Sequence, residues 1–134
     1  MTTIPVTLIA VAAAALLNGW LSARIGKLRG TYKVSVGDGG HEPLLRRMRA
    51  QANFIENAPF FLLLLLGIEL SGGNRIALAV ALIVFIVARI AHAIGMEGGE
   101  QQRWRMVGMM GTTFVTLALI VWALGCAVAP ALGR

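Results

Sequence analysis

Four long apolar stretches occupy most of this 134-residue chain and restrict what it can fold into. They run from Ile4 to about Ala23, from Ala58 to Leu70, from Ile76 to about Ile94 and from about Trp104 to Leu132. A bilayer core is about 30 Å thick and is crossed by ~20 apolar residues in a helix. Only 13% of the residues are charged, about half the share found in soluble domains. The sequence therefore predicts an all-α integral membrane protein.

Turn-forming residues separate the apolar stretches: GDGG at 37–40, SGGN at 71–74 and MEGGE at 96–100. Short loops make successive helices antiparallel. We therefore expect residues 1–134 to form a single domain, an antiparallel bundle of four transmembrane helices. The apolar part of the second stretch is too short to span a bilayer alone, so this helix must begin near Pro43 and carry polar residues into the membrane. We expect Gly108 and Gly111 to allow close packing of the fourth helix.

The distribution of basic residues predicts the orientation of the bundle. The region around the first loop carries seven of them, Arg24, Lys27, Arg29, Lys33, Arg46, Arg47 and Arg49, and the third loop leads into Arg103 and Arg105. Cytoplasmic loops collect Lys and Arg. We therefore expect the first and third loops in the cytoplasm and both chain ends outside. Glu69 and Arg75 flank the outer turn and are predicted to be solvated helix ends.

Composition argues against several classes of function. The net charge of +6 is localised, and the chain has too few aromatic residues and too little polar surface to favour a nucleic-acid groove. A basic belt beside anionic lipid headgroups, or around an anionic ligand, fits better. Cys126 is the only cysteine, so no intrachain disulfide and no cysteine-based metal cage can form. No metal site is predicted.

Polar residues in the second helix indicate a site within the membrane. Arg49, Asn53 and Glu56 are spaced i, i+4 and i+7, so they share one helical stripe. Ionisable side chains in a membrane normally face a bundle interior or a water-filled cavity. The structural alternative is an Arg49–Glu56 pair that only holds helices together; a ligand site is favoured. Pro59 lies in the same helix and should bend it.

The third and fourth helices add further polar groups. Arg89 and His92 lie at i and i+3, Met96 extends their stripe, and Arg103 and Arg105 open the fourth helix on the same membrane side. His92 could instead make only an interhelical hydrogen bond, and the two arginines could be cationic anchors at the headgroups.

Together these side chains suit a zwitterionic, multiply carboxylated and peptide-like ligand. Guanidiniums bind carboxylates bidentately and a carboxylate accepts an ammonium group, while a nearby cation favours a thiolate. Glutathione carries these groups, although composition alone does not select it over another anionic metabolite.

The segment RAQANFIENAP (49–59) resembles the pattern R-x-x-x-N-x-x-E-x-x-P of the MAPEG family, the membrane-associated proteins in eicosanoid and glutathione metabolism. The longer segment SVGDGGHEPLLRRMRAQANF (35–54) is similar to the bacterial branch of that family. Further support comes from ARIAH (88–92) and from the arginines that open the fourth helix. The resemblance extends over essentially the full chain.

This resemblance implies a homotrimer in a bacterial inner membrane, with both termini periplasmic and glutathione held between subunits near the cytoplasmic face. It implies a transferase or peroxidase that uses glutathione on lipophilic electrophiles dissolved in the membrane lipid. Arg103, or else Arg105, corresponds to the catalytic arginine that stabilises the thiolate. The other expected glutathione-binding residues are Arg49, Asn53, Glu56, Arg89, His92 and Arg105.

Two other functions remain open. Asn57 and Met96 occupy positions where many or several members of the family carry tyrosine, which favours a non-catalytic protein that binds lipid or an anionic metabolite in the same basic pocket. A small proton-coupled multidrug transporter ranks last, because such proteins usually need a carboxylate in the middle of the first helix and this chain has none there.

Overall fold

The computed structural model describes residues 3–132, with side chains as far as Val128. It contains four α-helices, α1 (Pro5–Tyr32), α2 (Glu42–Leu70), α3 (Arg75–Gly95) and α4 (Gln102–Leu132). A 3₁₀ turn, Gly99–Gln101, leads into α4. Each helix is long and apolar enough to cross a membrane, and the described residues contain no strand. The predicted all-α fold with four transmembrane helices is therefore confirmed.

Helix α1 continues beyond the apolar stretch that predicted it. The sequence placed its end near Ala23, whereas the helix ends at Tyr32, and Lys33 then adopts a left-handed conformation with φ 55°. Arg24, Lys27 and Arg29 have good helix propensity, so nothing stops the helix where its apolar character ends. The hydropathy pattern marked the end of the apolar segment rather than the end of the helix.

Helix α2 begins one residue before Pro43, as its polar first half predicted. Proline is tolerated in the first turn because the N–H groups there have no intrahelical partner. Pro59 lies inside the helix and does not divide it. One uninterrupted helix therefore carries Arg49, Asn53 and Glu56 toward the apolar second half.

Glycines bring α3 and α4 into backbone contact. A Cβ atom at Gly108 would collide with the carbonyl oxygen of Ala88 and the backbone nitrogen of His92. A Cβ atom at Gly95 would collide with the backbone of Arg105 and Trp104. Small residues allow this approach between membrane helices, which confirms the packing role expected of Gly108. The end of α3 is thereby fixed against the start of α4.

The loops after α1 and α3 lie at one end of the bundle, called here the basic end because most of the arginines and lysines cluster there. Toward the opposite end, a buried apolar core joins the helices. Phe61 of α2 stacks on Phe85 of α3 with ring centroids 3.9 Å apart. Leu65 and Ile68 of α2, with Leu78 of α3 and Leu119 of α4, are fully buried in the same core.

At the opposite end, Glu69 is buried, and the prediction that it is a solvated helix end is wrong. Its side chain is 4% exposed and accepts hydrogen bonds from the backbone nitrogens of Val6 (3.0 Å) and Thr7 (2.7 Å) and from the Thr7 hydroxyl (2.7 Å). Helix α1 has no side-chain cap from its own N-cap residue, Ile4, and its first N–H groups need acceptors. Glu69 supplies them from another helix. Arg75 remains exposed and donates to the Thr3 carbonyl at 2.9 Å.

The glycine contact makes a prediction about stability. Gly108→Ala should destabilise the protein by about 1–3 kcal/mol, the usual cost of overpacking, because the new methyl group meets backbone atoms that cannot rotate away. Gly125→Ala is the matched control on the same helix, since a Cβ atom there meets nothing within 4 Å. Thermal unfolding in detergent should show a melting temperature lower by several degrees for Gly108→Ala alone. Equal melting temperatures for the two variants would contradict the backbone contact.

Candidate functional site

A cavity of about 210 Å³ opens between α2, α3 and α4 near the basic end. Helix α2 contributes one stripe of side chains, and the end of α3 and the start of α4 close the other two sides. The lining residues are Arg49, Ala52, Asn53, Glu56, His92, Met96, Arg105 and Met109. The structure therefore brings predicted site residues from three helices into one cavity.

Three charged side chains in this cavity have no charged or hydrogen-bonding partner within residues 3–128. Arg49, Glu56 and the guanidinium of Arg105 appear in none of the side-chain hydrogen bonds or ion pairs of that part of the chain. The structural alternative, an Arg49–Glu56 ion pair, is not formed. Two guanidiniums and one carboxylate are thus available to a ligand, and groups of this kind bind carboxylate and ammonium through charge-assisted hydrogen bonds.

Arg89 lies behind the cavity and does not line it. The residue is 3% exposed, and its Nη2 donates a 3.0 Å hydrogen bond to Oδ1 of Asn53. Its Nε has no partner among the described residues. A buried charge is stabilised only where it is hydrogen-bonded, so this contact holds both side chains in place. Arg89 is therefore positioned to orient Asn53, whose amide nitrogen remains available to the cavity.

His92 and Met96 line the cavity from α3. His92 is 4% exposed, and its Nδ1 lies 3.4 Å from the backbone carbonyl oxygen of Arg105. His92 therefore contacts another helix, as one interpretation of the sequence expected, and it also borders the cavity. The contact aligns the last turns of α3 with the first turn of α4.

The two arginines at the start of α4 point in different directions. Residues two apart on a helix lie about 200° from each other around its axis. Arg105 lines the cavity, whereas the Arg103 guanidinium lies over the Trp104 ring at 5.7 Å from its centroid and is exposed. The sequence favoured Arg103 over Arg105 as the catalytic arginine; of the two, Arg105 lines the cavity and Arg103 does not.

The whole cavity lies within the part of the chain that matches a known family. The model of the MAPEG family matches residues 7–125. The chain belongs to the MAPEG family. Inner membrane protein YecN of Escherichia coli strain K12 is 32% identical over 107 residues, covering 80% of this chain and 81% of YecN. YecN of Escherichia coli O6:H1 matches over the same extent at the same identity.

In this MAPEG protein an ion-pair cluster holds the loop between α3 and α4. Glu97 accepts a hydrogen bond from Arg24 of α1 and lies 2.9 Å from Nη2 of Arg47 on α2. Arg24 also donates to the carbonyl of Ala93 at 3.4 Å. The cluster fixes the loop on which the relative placement of His92 and Arg105 depends. The sequence predicted only a turn at this loop. The feature that could have indicated the cluster was an acidic residue, Glu97, at the same end of the bundle as the basic first loop.

Partial burial of Glu97 would by itself raise the pKa of its carboxyl group. The hydrogen bond and charge of Arg24, followed by the charge and hydrogen bond of Arg47, outweigh this effect and hold the pKa below its ordinary value of 4.5. A carboxyl group with a lowered pKa in the folded state stabilises the fold above the pKa of the unfolded state and loses that contribution at lower pH.

Glu97 should therefore add to the free energy of unfolding at neutral pH and lose that contribution in acid. Wild type should melt above Glu97→Gln at neutral pH, and this advantage should shrink progressively as the pH falls below the ordinary value of 4.5, because the carboxyl group then becomes protonated. Glu100→Gln, in the same loop but without an ion pair among residues 3–128, is the control. A difference between wild type and Glu97→Gln that stays constant down to strongly acidic pH would contradict this.

Proposed function

We propose that this MAPEG protein is a glutathione-dependent transferase or peroxidase of a bacterial inner membrane that acts on lipophilic electrophiles. It works as a homotrimer, with glutathione between subunits, the site toward the cytoplasm and both termini in the periplasm. The observation that carries the proposal is the meeting in one cavity of Arg49, Glu56 and Arg105, three charged side chains that have no partner among residues 3–128. The inner membrane is supported by the printed name of the Escherichia coli relative, Inner membrane protein YecN.

The charged groups of the cavity suit the two ends of glutathione. Arg49 is suited to a carboxylate, and Glu56, about two turns further along the same face of α2, is suited to the ammonium group. Asn53, oriented by Arg89, offers its amide to a peptide bond. Among residues 3–128, no other side chain forms a hydrogen bond or ion pair with these groups, except that the Asn53 oxygen accepts a hydrogen bond from Arg89.

Arg105 is the residue proposed to stabilise the thiolate. A guanidinium near a thiol lowers the thiol pKa and raises the fraction present as thiolate at neutral pH. In the conjugation reaction the sulfur forms a bond to the electrophilic carbon, the leaving group departs with its electron pair, and the thiol proton passes to solvent. Arg105 holds negative charge on the sulfur before that bond forms. Arg49 and Glu56 hold the rest of the tripeptide in place, so the reaction gains from orientation as well.

An apolar groove lies further along α2, toward the middle of the bundle, and is proposed to take the electrophile. It has a volume of about 580 Å³ and is lined by Asn57, Phe60, Leu63, Leu64, Thr116 and Ile120. On α2 the polar and apolar residues follow one stripe, since Phe60 and Leu63 continue the spacing of Arg49 and Glu56. From Arg49 to Leu64 this stripe is about 22 Å long at 1.5 Å per residue. A lipophilic molecule could therefore enter from the bilayer and reach the sulfur.

The exposure of Arg49 and Glu56 in a single subunit supports a shared site. Both lie on a helix long and apolar enough to cross a membrane, and charged groups that face lipid are costly. A second groove, of about 410 Å³, borders the same part of α2 and is lined by Ser22, Ile25, Gly26, Arg29, Met48, Gln51, Ala52 and Ile55. Ala52 lines both grooves. In a closed ring, one face of each subunit contacts a different face of the next. Such a contact would cover both the cavity and this groove.

The proposal is tested by comparing the two arginines at the start of α4. In vesicles with glutathione and a chromogenic aryl halide, Arg105→Ala should lower kcat/KM by roughly 100-fold, the usual effect of removing one group that stabilises developing charge. Arg103→Ala, of equal charge change, should stay within a few-fold of wild type. Thiolate absorbance of bound glutathione should fall in parallel with kcat/KM for Arg105→Ala. Loss of turnover in Arg103→Ala alone would transfer the role to Arg103.

A non-catalytic binding protein is the second candidate, and one contact favours it. The side chain of Asn57 donates to the backbone carbonyl of Asn53 at 2.7 Å, so the position that holds tyrosine in many family members is engaged within its own helix. Calorimetric titration separates the two candidates. Saturable glutathione binding that is lost in Glu56→Gln, without conjugation or peroxide reduction, supports the binding protein. The absence of any glutathione binding contradicts both glutathione-based functions.

A further inference from the structure

A further apolar groove, called here the outer groove, lies on the opposite side of α3 from the proposed glutathione cavity. It has a volume of about 330 Å³ and is lined by Val87, Ile90, Ala91, Ile94 and Trp104. His92 and Met96, which border the cavity, lie on the opposite face of α3, because residues 90 and 94 are about 160–200° around the helix from residue 92. The groove is therefore separate from the proposed active site.

The groove begins at the basic end of the bundle and runs toward the middle. Ile94 lies one residue before the end of α3, and Trp104 is in the first turn of α4. Val87 is about 10 Å deeper, at 1.5 Å for each of the residues between it and Ile94. The close approach at Gly95 sets Trp104 beside α3, where it forms the wall of the groove and remains 45% exposed.

A cation lies beside the tryptophan that lines this groove. The Arg103 guanidinium lies over the Trp104 ring, 5.7 Å from its centroid, and within residues 3–128 it takes part in no hydrogen bond or ion pair. Its N–H donors therefore have no acceptor in that part of the chain. Those donors match two oxygens of a phosphate group. The tryptophan ring also suits the interface between headgroups and acyl chains.

We propose that this groove binds one anionic glycerophospholipid, with its phosphate on Arg103 and an acyl chain along Val87, Ile90 and Ile94. The match of charge carries the choice of occupant: a cation with no ion pair among residues 3–128 lies beside Trp104 at the basic end, and the groove that Trp104 lines is almost wholly apolar and extends toward the middle of the bundle. A second copy of the chain is not the favoured occupant, because the polar surfaces that need covering, around Arg49, Glu56 and Ala52, lie on α2. Arg103 thus has a role outside the reaction.

Fluorescence of Trp104 tests this lipid site directly. Trp20→Phe and Trp122→Phe leave Trp104 as the sole tryptophan. The full chain is placed in zwitterionic phosphatidylcholine vesicles that contain equal mole fractions of acyl-brominated phosphatidylglycerol or acyl-brominated phosphatidylcholine. Bromine quenches the indole only when the acyl chain lies against it. Quenching should indicate that the anionic lipid is preferred by about fivefold. This is the ratio of affinities expected from the attraction of one cation to an anionic headgroup.

Arg103→Gln in the same background should abolish the preference, while Lys27→Gln, an exposed cation on α1, should preserve it. Equal quenching by both brominated lipids, or a preference retained in Arg103→Gln, would overturn the proposal. Absence of quenching by either lipid would show that protein, such as a second copy, covers the groove. Soluble glycerol phosphate should not restore the fluorescence; if it does, the ligand is a free phosphate rather than a lipid.

A second measurement does not require the tryptophan substitutions. Native mass spectrometry of the detergent-purified protein, titrated with phosphatidylglycerol, should show about fivefold weaker first-lipid binding for Arg103→Gln than for wild type. Unchanged binding would again reject the site. Both measurements are made without glutathione, so their outcome is independent of the outcome of the activity assays.

Discussion

The backbone contact between α3 and α4 sets how the residues of these two helices are placed around the cavity. Gly108 faces the backbone of Ala88 and His92, and Gly95 faces the backbone of Arg105. Because no side chain separates the two helices at these points, the last turns of α3 and the first turns of α4 are held in one register. That register puts His92 and Arg105 on the cavity and turns Trp104 toward the outer groove. A larger residue at either glycine would separate the helices and disturb both surfaces at once.

The charged residues fall into two groups that differ in what they contact. Glu69, Arg89 and Glu97 are each bound by groups of the protein: Glu69 caps α1, Arg89 holds Asn53, and Glu97 receives Arg24 and Arg47. These contacts stabilise or orient the helices. Arg49, Glu56 and Arg105 converge on the cavity without such contacts among residues 3–128. Since an unpaired charge in a membrane is costly, this second group is the one whose presence needs a ligand or a neighbouring subunit to explain it.

The two arginines of α4 show how a short separation in sequence produces different roles. Arg103 and Arg105 are equally charged and lie in the same helical turn, yet one borders the proposed glutathione site and the other stands over Trp104 at the edge of an apolar groove. The first turn of α4 thus borders both of the proposed ligand sites.

Much of the architecture followed from the sequence, because bilayer thickness and hydropathy constrain a membrane chain strongly. The four helices, the start of α2 near Pro43 and the common stripe of Arg49, Asn53 and Glu56 all depend on local spacing, which a helix converts directly into position. The family was also readable, from a short motif of charged and amide residues. The end of α1 at Tyr32 was not, since helix propensity continues after hydrophobicity stops.

Only the tertiary structure decided which polar residues meet. The burial of Glu69 depends on the start of α1, 62 residues away in sequence, and the loop that carries Glu97 depends on arginines from two other helices. Which of Arg103 and Arg105 lines the cavity depends on the rotation of α4 against α3, at the close contact made by two glycines. Local sequence determines which face of a helix is polar. Packing between helices determines which residues that face contacts.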